Sequence, residues 1–139
     1  MANVAAAMLC DFAQIREGLL FVSSGGLARF ATPDVPIPFP AFLALIIEVP
    51  AHEVEHVHEL AITVKHVPTA TTVAKAGGGF SLAGNLLHPG ESAYAPQAIA
   101  LHSIILPDFG AYDVTVTVDT EVGQTITAYV VEKPASPQA

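Results

Sequence analysis

The chain has 139 residues and a mass of 14.4 kDa, a length that fits one domain rather than two. Hydrophobic residues make up 52% and charged residues 13%, against a usual charged fraction of about 25%, so general disorder is excluded. Five Lys and Arg against 13 Asp and Glu give a net charge of −8, which repels phosphate groups and argues against a nucleic-acid partner.

The N-terminal region indicates a cytoplasmic protein without a membrane partner. No basic side chain precedes Arg16, so the segment lacks the charged start of a signal peptide. The longest densely apolar run, Ala41–Ile47, is about a third of a membrane span. The single cysteine, Cys10, cannot form an intramolecular disulfide, and we expect it to be a small buried hydrophobic residue.

The first third of the chain predicts three strands, a tight turn and a proline-rich link. The first strand spans about Val4–Phe12. The next two, Leu19–Ser23 and Leu27–Ala31, flank Ser24-Gly25-Gly26, and paired glycines readily adopt the positive φ angles of a tight hairpin turn. The prolines of Pro33–Pro40 predict an extended link, because proline is excluded from central strands and helix interiors.

The middle of the chain combines two predicted strands with two irregular segments. Ala41–Val49 is apolar nearly throughout, which predicts a strand covered on both faces. Apolar and polar residues alternate in Glu59–Lys65, as in a strand with one buried face. Lys75–Asn85 is rich in glycine and predicts a flexible loop, and His88–Gln97 predicts a second irregular segment.

The C-terminal third gives the clearest strand pattern. Ile99–Leu106 predicts one strand. In Ala111–Asp119 apolar residues alternate strictly with Asp and Thr, which predicts one buried and one solvated face. Gln124–Glu132 is its natural hairpin partner across the polar loop Thr120–Gly123.

A short motif refines the fold class. Asp108, Gly110 and Tyr112 form D-x-G-x-Y at the start of an alternating strand, where immunoglobulin-like sandwiches carry a tyrosine corner. Tyr112 lies on the inward phase of that strand, so we expect a buried ring whose hydroxyl bonds to the backbone upstream. The sequence predicts an all-β protein, an antiparallel β-sandwich of about 7–8 strands, with an immunoglobulin-like Greek key favoured. It forms one domain, residues 1–133, with a C-terminal tail, residues 134–139.

The segment Ala51–Leu60, AHEVEHVHEL, is the densest in chemically reactive side chains. It contains H-E-x-x-H, which in a zinc peptidase lies on a helix so that both histidines ligate the metal. Here β-like sequence flanks the motif, so a long helix is not predicted. In an extended segment, His52, His56 and His58 share one side and offer imidazoles suited to Zn or another divalent transition metal. The competing interpretation is a solvated strand entrance that binds no cofactor.

Three stretches of the sequence resemble one family. The first stretch, near the N-terminus, is MLCDFAQIREGLLFVSSGG and is similar to the pattern LLxDxAQVxxGxLxxxGxG. The second, in the middle of the chain, is LALIIEVPAHEVEHVHELAITV and is similar to LAxxxEVPxxExxxxHxLxxxL. The third is LPDFGAYDVTVTVD and is similar to LPxxGxYxxxVxVD. The chain thus resembles short bacterial proteins with a single domain of unknown function. The resemblance implies a compact β-sandwich and no particular activity. His58 falls on a shared position of these patterns, whereas His52 and His56 do not.

Two functional hypotheses follow. The first is a non-enzymatic interaction or assembly module, because the sequence shows no catalytic residue set. With so few charges, apolar surface should remain exposed and favour association, first of all as a homodimer, although another protein partner is possible. The second is a metal-binding protein or metal-dependent hydrolase centred on the His52–His58 segment. A small-ligand pocket near the glycine-rich segment and Tyr94 remains a third possibility.

Overall fold

The computed structural model describes residues 1–82 and 87–134, and in these residues the chain folds into β-strands with one 3-10 turn at Ala51–Glu53. The strands are β1 (Asn3–Arg16), β2 (Leu19–Gly25), β3 (Arg29–Thr32), β4 (Ile37–Pro38), β5 (Phe42–Val49), β6 (His58–His66), β7 (Thr71–Phe80), β8 (Ala93–Ala100), β9 (Ile105–Leu106), β10 (Gly110–Val118) and β11 (Glu121–Glu132). The described part therefore has more strands than predicted. Residues 135–139 of the predicted tail lie outside the described residues.

The strands form two main sheets and one small one. The first sheet has the order β2-β1-β5-β8, the second has the order β3-β11-β10-β6-β7, and β4 pairs with β9. Every pairing is antiparallel except that of β3 with β11. Leu9 and Leu43 from the first sheet share one core with Val64 and Val114 from the second. The prediction of an all-β antiparallel sandwich is confirmed, and the immunoglobulin-like Greek key stays a prediction.

The strands with strict alternation form as predicted. In β10, Val114, Val116 and Val118 are buried, and β11 returns beside it as the predicted hairpin partner. The turn is shorter than predicted, because Asp119 and Thr120 both take positive φ and β11 already begins at Glu121. Alternating burial holds these strands in register, since a slip by one residue would expose the whole apolar face.

The predicted hairpin across Ser24-Gly25-Gly26 is wrong. β2 pairs instead with the preceding strand, β1, across Glu17 and Gly18, whose φ angles are +53° and +75°. These two positive φ values match the twist of a two-residue hairpin turn. After Gly26 the chain crosses to the other sheet, where β3 lies parallel to β11. Both candidate turns contain glycine, so local sequence does not distinguish them.

The predicted irregular segments are partly strand. Residues 75–80 of the glycine-rich segment belong to β7, because the backbone of β6 supplies a ladder of hydrogen bonds that needs no side chains. Residues 83–85 of that segment lie outside the described residues. Strand β8 begins at Ala93, inside the second segment predicted to be irregular. The predicted strand Ile99–Leu106 is wrong over its middle, where the Ile104 N–H donates to the Leu101 carbonyl in a turn.

The tyrosine corner anchors the start of β10. The Tyr112 side chain is 0% exposed, and its hydroxyl donates to the Asp108 carbonyl at 2.7 Å and accepts the Asp108 N–H at 3.0 Å. Gly110 takes a φ of +121°, and a Cβ there would lie 3.1 Å from His66 Nε2. A side chain at this position would therefore be strained and crowded, which explains the glycine of the motif.

We expect Tyr112→Phe to lower the free energy of unfolding by about 1–3 kcal/mol, because both backbone groups of Asp108 lose a buried partner. Tyr112→Ala also opens a cavity and should cost about 3–5 kcal/mol. Urea unfolding of both variants and the parent measures these differences. If Tyr112→Phe is as stable as the parent, the hydroxyl does not anchor the fold.

Candidate interaction surface

His58, one of the three predicted metal ligands, is held by two hydrogen bonds inside the protein. Its side chain is 4% exposed at the start of β6. Nδ1 lies 2.6 Å from Asp119 Oδ2, and Nε2 lies 2.8 Å from the Glu53 carbonyl oxygen. The other carboxylate oxygen of Asp119 accepts the Glu59 N–H at 2.8 Å. These bonds join the 3-10 turn, β6 and the turn between β10 and β11.

The partners of His58 favour its charged form. A carboxylate and a carbonyl oxygen only accept hydrogen bonds, so the ring donates to both of them when both nitrogens carry a proton. The hydrogen bond to Asp119 raises the pKa of His58 above its ordinary value, against the opposing effect of burial. Partial burial raises the pKa of Asp119, but hydrogen bonds from His58 and Glu59 outweigh it and lower that pKa overall.

The structure does not bring the three predicted metal ligands together. Both ring nitrogens of His58 are already bonded, and His52 and His56 are exposed. These two line a surface depression with His88, between the segment after β5 and the residues before β8. Across residues 1–82 and 87–134, no group of three or more His, Cys, Asp or Glu side chains is arranged to hold a metal ion.

A second feature is the hairpin of β1 and β2, which has one covered side. Only residues 3–10 of β1 pair with β5, and residues 12–16 pair with β2 alone. The covered side packs against the rest of the first sheet. There Ala13 and Leu20 of the hairpin lie in one cluster with Cys10, Ala44 and their neighbours. Cys10 is fully buried there, as predicted. The hairpin is therefore fixed to the sheet rather than free.

The hairpin carries a concentration of large exposed apolar side chains. Five of the exposed large hydrophobic residues belong to it: Phe12, Ile15, Leu19, Phe21 and Val22. The strand register places Phe12, Leu19 and Phe21 on one face of the hairpin, and Ile15 and Val22 on the opposite face, which is the covered one. We call Phe12, Leu19 and Phe21 the hairpin patch. The Arg16 guanidinium lies 5.6 Å from the centre of the Phe21 ring, and cations favour this position over an aromatic face. Sequence reasoning missed the patch because apolar residues occur here on both faces of the strands, which hides the alternation.

The fold and these two features define a small all-β protein whose buried His58 bonds within the fold and whose hairpin exposes apolar surface. The chain belongs to DUF6941, a family of unknown function whose model matches residues 5–131. This confirms the resemblance to a family with one domain of unknown function. No curated protein matches the chain. Among the described residues, no helix has the length and apolar character needed to cross a membrane.

We expect the link between His58 and Asp119 to make stability depend on pH. Because folding raises the pKa of His58, its contribution is complete below the unfolded value of about 6.5 and is lost as pH rises through the folded pKa. Asp119→Asn should lower the free energy of unfolding by about 1–3 kcal/mol near pH 6 and flatten the pH dependence.

Urea unfolding at a series of pH values between about 5 and 9 measures the pH dependence of the free energy of unfolding. Histidine changes from its charged to its neutral form within this range. Glu55→Gln is the matched control, since it removes one exposed carboxylate of the neighbouring segment. Equal pH profiles for the parent and Asp119→Asn would contradict the assignment.

We expect no specific metal at the histidine segment, because the ring nitrogens of His58 are occupied. Protein purified without a polyhistidine tag should contain substoichiometric metal by elemental analysis, and added Zn²⁺ should leave the melting temperature unchanged. His56→Ala should change neither result. A stoichiometric metal that His56→Ala removes would instead support the metal-binding hypothesis.

Proposed function

We propose that this protein is a non-enzymatic β-sandwich module that associates with itself in the cytoplasm, as a homodimer. The observation that carries the proposal is the hairpin patch. Leu19 is 65% exposed and Phe21 is 49% exposed, although both are large apolar residues, two positions apart on one face of a short strand. Soluble proteins expose clustered apolar residues mainly where a partner covers them.

The chemistry of the interior supports a structural rather than a catalytic role. The two buried histidines, His58 and His66, each bond through both ring nitrogens to groups of the fold. The buried Tyr112 hydroxyl bonds to the backbone in the same way. These are the buried polar groups most suited to acid–base work, and their bonds explain their positions without a substrate.

The strand order supports an immunoglobulin-like form of the module. In one sheet β1, β5 and β8 are neighbours, as strands A, B and E are in immunoglobulin domains. In the other sheet β6, β10 and β11 are neighbours, as strands C, F and G are in immunoglobulin domains. The tyrosine corner at Tyr112 agrees with this assignment, because it lies at the start of the strand that corresponds to F.

A rough energy estimate defines what the contact requires. Burying the exposed half of a large apolar side chain contributes about 1 kcal/mol, so the six side chains of two hairpin patches contribute about 6 kcal/mol. Association costs roughly 4–15 kcal/mol in lost freedom. This gain reaches only the lower end of the association cost, so a stable dimer needs further hydrogen bonds or apolar contact.

We expect the parent protein to be a dimer by light scattering at low micromolar concentration. Leu19→Ser with Phe21→Ser should convert it to a monomer, because the patch loses its two most protruding side chains. Val122→Ser is the matched control, since Val122 is 69% exposed but lies at the start of β11. A parent that is strictly monomeric, or a double variant that remains dimeric, would contradict the proposal.

A further inference from the structure

An apolar cavity opens between β7 and β8, the outer strands on one side of the two sheets. Its volume is about 280 Å³, and its lining includes Leu60, Ile62, Phe80 and Ile99. It exists because β7 carries almost no side chains there. Gly78 pairs with Leu60, so its missing side chain would point to the same face, and a Cβ at Gly78 would have no atom within 4 Å.

The size and lining of the cavity fit apolar side chains. Small-molecule sites usually have about 300–1,000 Å³ and several convergent polar groups. Here the cavity is smaller, and Gln97 is the one polar side chain that lines it. Tyr94 lies at the other end of β8, where its hydroxyl bonds to Glu48, so it adds nothing to this cavity.

Among the described residues, no other strand pairs with the backbone edge of β7 beside the cavity. Glu59 directs both its N–H and its C=O to Asp119, on the side of β10. Because successive residues of a strand alternate in direction, Leu60 directs its backbone groups to Gly78 of β7. Gly77 and Gly79 then direct theirs outward, and no strand of residues 1–82 or 87–134 pairs with that edge of β7.

We propose that β2 of a second copy pairs with this edge of β7 and inserts Leu19 and Phe21 into the cavity. This inference rests on the self-association proposed above and names the surface that receives the hairpin patch. An unpaired edge next to an apolar cavity is matched by a strand whose large side chains recur at every second residue. Leu19 and Phe21 have this spacing, and they are exposed on a strand that is itself at a sheet edge.

The other edge strands of the two main sheets fit the cavity less well. β3 has four residues, and its large side chain, Phe30, already packs on the core. β8 contains Pro96, which lacks an N–H and restricts pairing along its free edge. β2 has neither restriction, since it contains no proline and no charged residue.

The contact between β2 and β7 avoids the repulsion that a second copy meets elsewhere on the surface. The chain has a net charge of −8, so two copies repel one another over most of their surfaces. β7 contains one charged residue, the exposed Lys75, and its charge is opposite in sign to that of the incoming copy. The uncharged β2 adds no repulsion of its own, and Glu17 in the adjacent turn provides a negative charge.

The contact closes a dimer when it occurs twice. In a two-fold dimer, β2 of each copy lies against β7 of the other, so both copies bury the same surfaces. Each contact adds backbone hydrogen bonds and fills one cavity. These are the contributions that the hairpin patches lack when they are considered alone.

Two variants and their mixture test this arrangement by light scattering. The first is Leu19→Ser with Phe21→Ser, which removes the inserted side chains. The second is Gly78→Leu, which fills the cavity from within the same copy. Gly78 does not have a positive φ and has open space at its Cβ, so the variant should fold.

Each variant alone should be monomeric. An equimolar mixture should form a 1:1 dimer through the one intact contact, about tenfold or more weaker than the parent dimer.

The outcomes separate the two proposals. If Gly78→Leu alone dimerises like the parent while the double serine variant does not, the hairpin patch drives association and its placement on β7 is wrong. A mixture that stays monomeric also overturns the placement. If the double serine variant remains dimeric, or the parent is a monomer, the proposed function fails as well.

A cross-link provides an independent test that requires smaller changes. Leu19→Cys protein mixed with Gly78→Cys protein should form an intermolecular disulfide under mild oxidation, while the buried Cys10 stays reduced. Val122→Cys mixed with Gly78→Cys is the control and should form at least about tenfold less cross-linked dimer. Equal yields in the two mixtures would overturn the proposed contact.

Discussion

The hydrogen bonds between the Tyr112 hydroxyl and the backbone of Asp108 set the starting point of β10, and the second sheet is built on that strand. β10 lies between β6 and β11 and pairs with both along its length. Its inward side chains, including Val114 and Val116, are fully buried. Since register and burial are coupled in a strand, a shift at the corner would move this whole face out of the core.

Two buried histidines occupy opposite ends of β6 and bond in different ways. At one end, His66 packs against Tyr112, donates through Nε2 to the Phe109 carbonyl and meets the Thr69 hydroxyl, which can itself donate. At the other end, His58 meets only acceptors and so favours the imidazolium form. The two ends of one strand are therefore tied to neighbouring turns by two different sets of hydrogen bonds.

The edges of the two sheets differ in how well they are protected from association. A sandwich satisfies its interior strands through its own ladders, but each outer strand exposes unpaired backbone groups. Here β3 is short and β8 contains proline, whereas β2 and β7 have no such protection. One of these two strands has large exposed side chains, and the other has glycines beside an apolar cavity. The large side chains of β2 in one copy can fill the space that the glycines of β7 leave in the other. The fold is linked to the proposed self-association in this way.

The sequence by itself determined the elements whose pattern is local. Alternation predicted β10 and most of β6, and the polar loop after β10 predicted β11 as its hairpin partner. The motif D-x-G-x-Y predicted the buried Tyr112 with its bond to the upstream backbone. Only the tertiary structure decided that the glycines after Lys75 belong to a strand, because the hydrogen bonds that hold them come from β6. It likewise decided the partner of β2 and the bond between His58 and Asp119, which are 61 residues apart. Such contacts form between segments that are far apart in the chain. They depend on the tertiary arrangement, which the spacing of residues along the sequence does not determine.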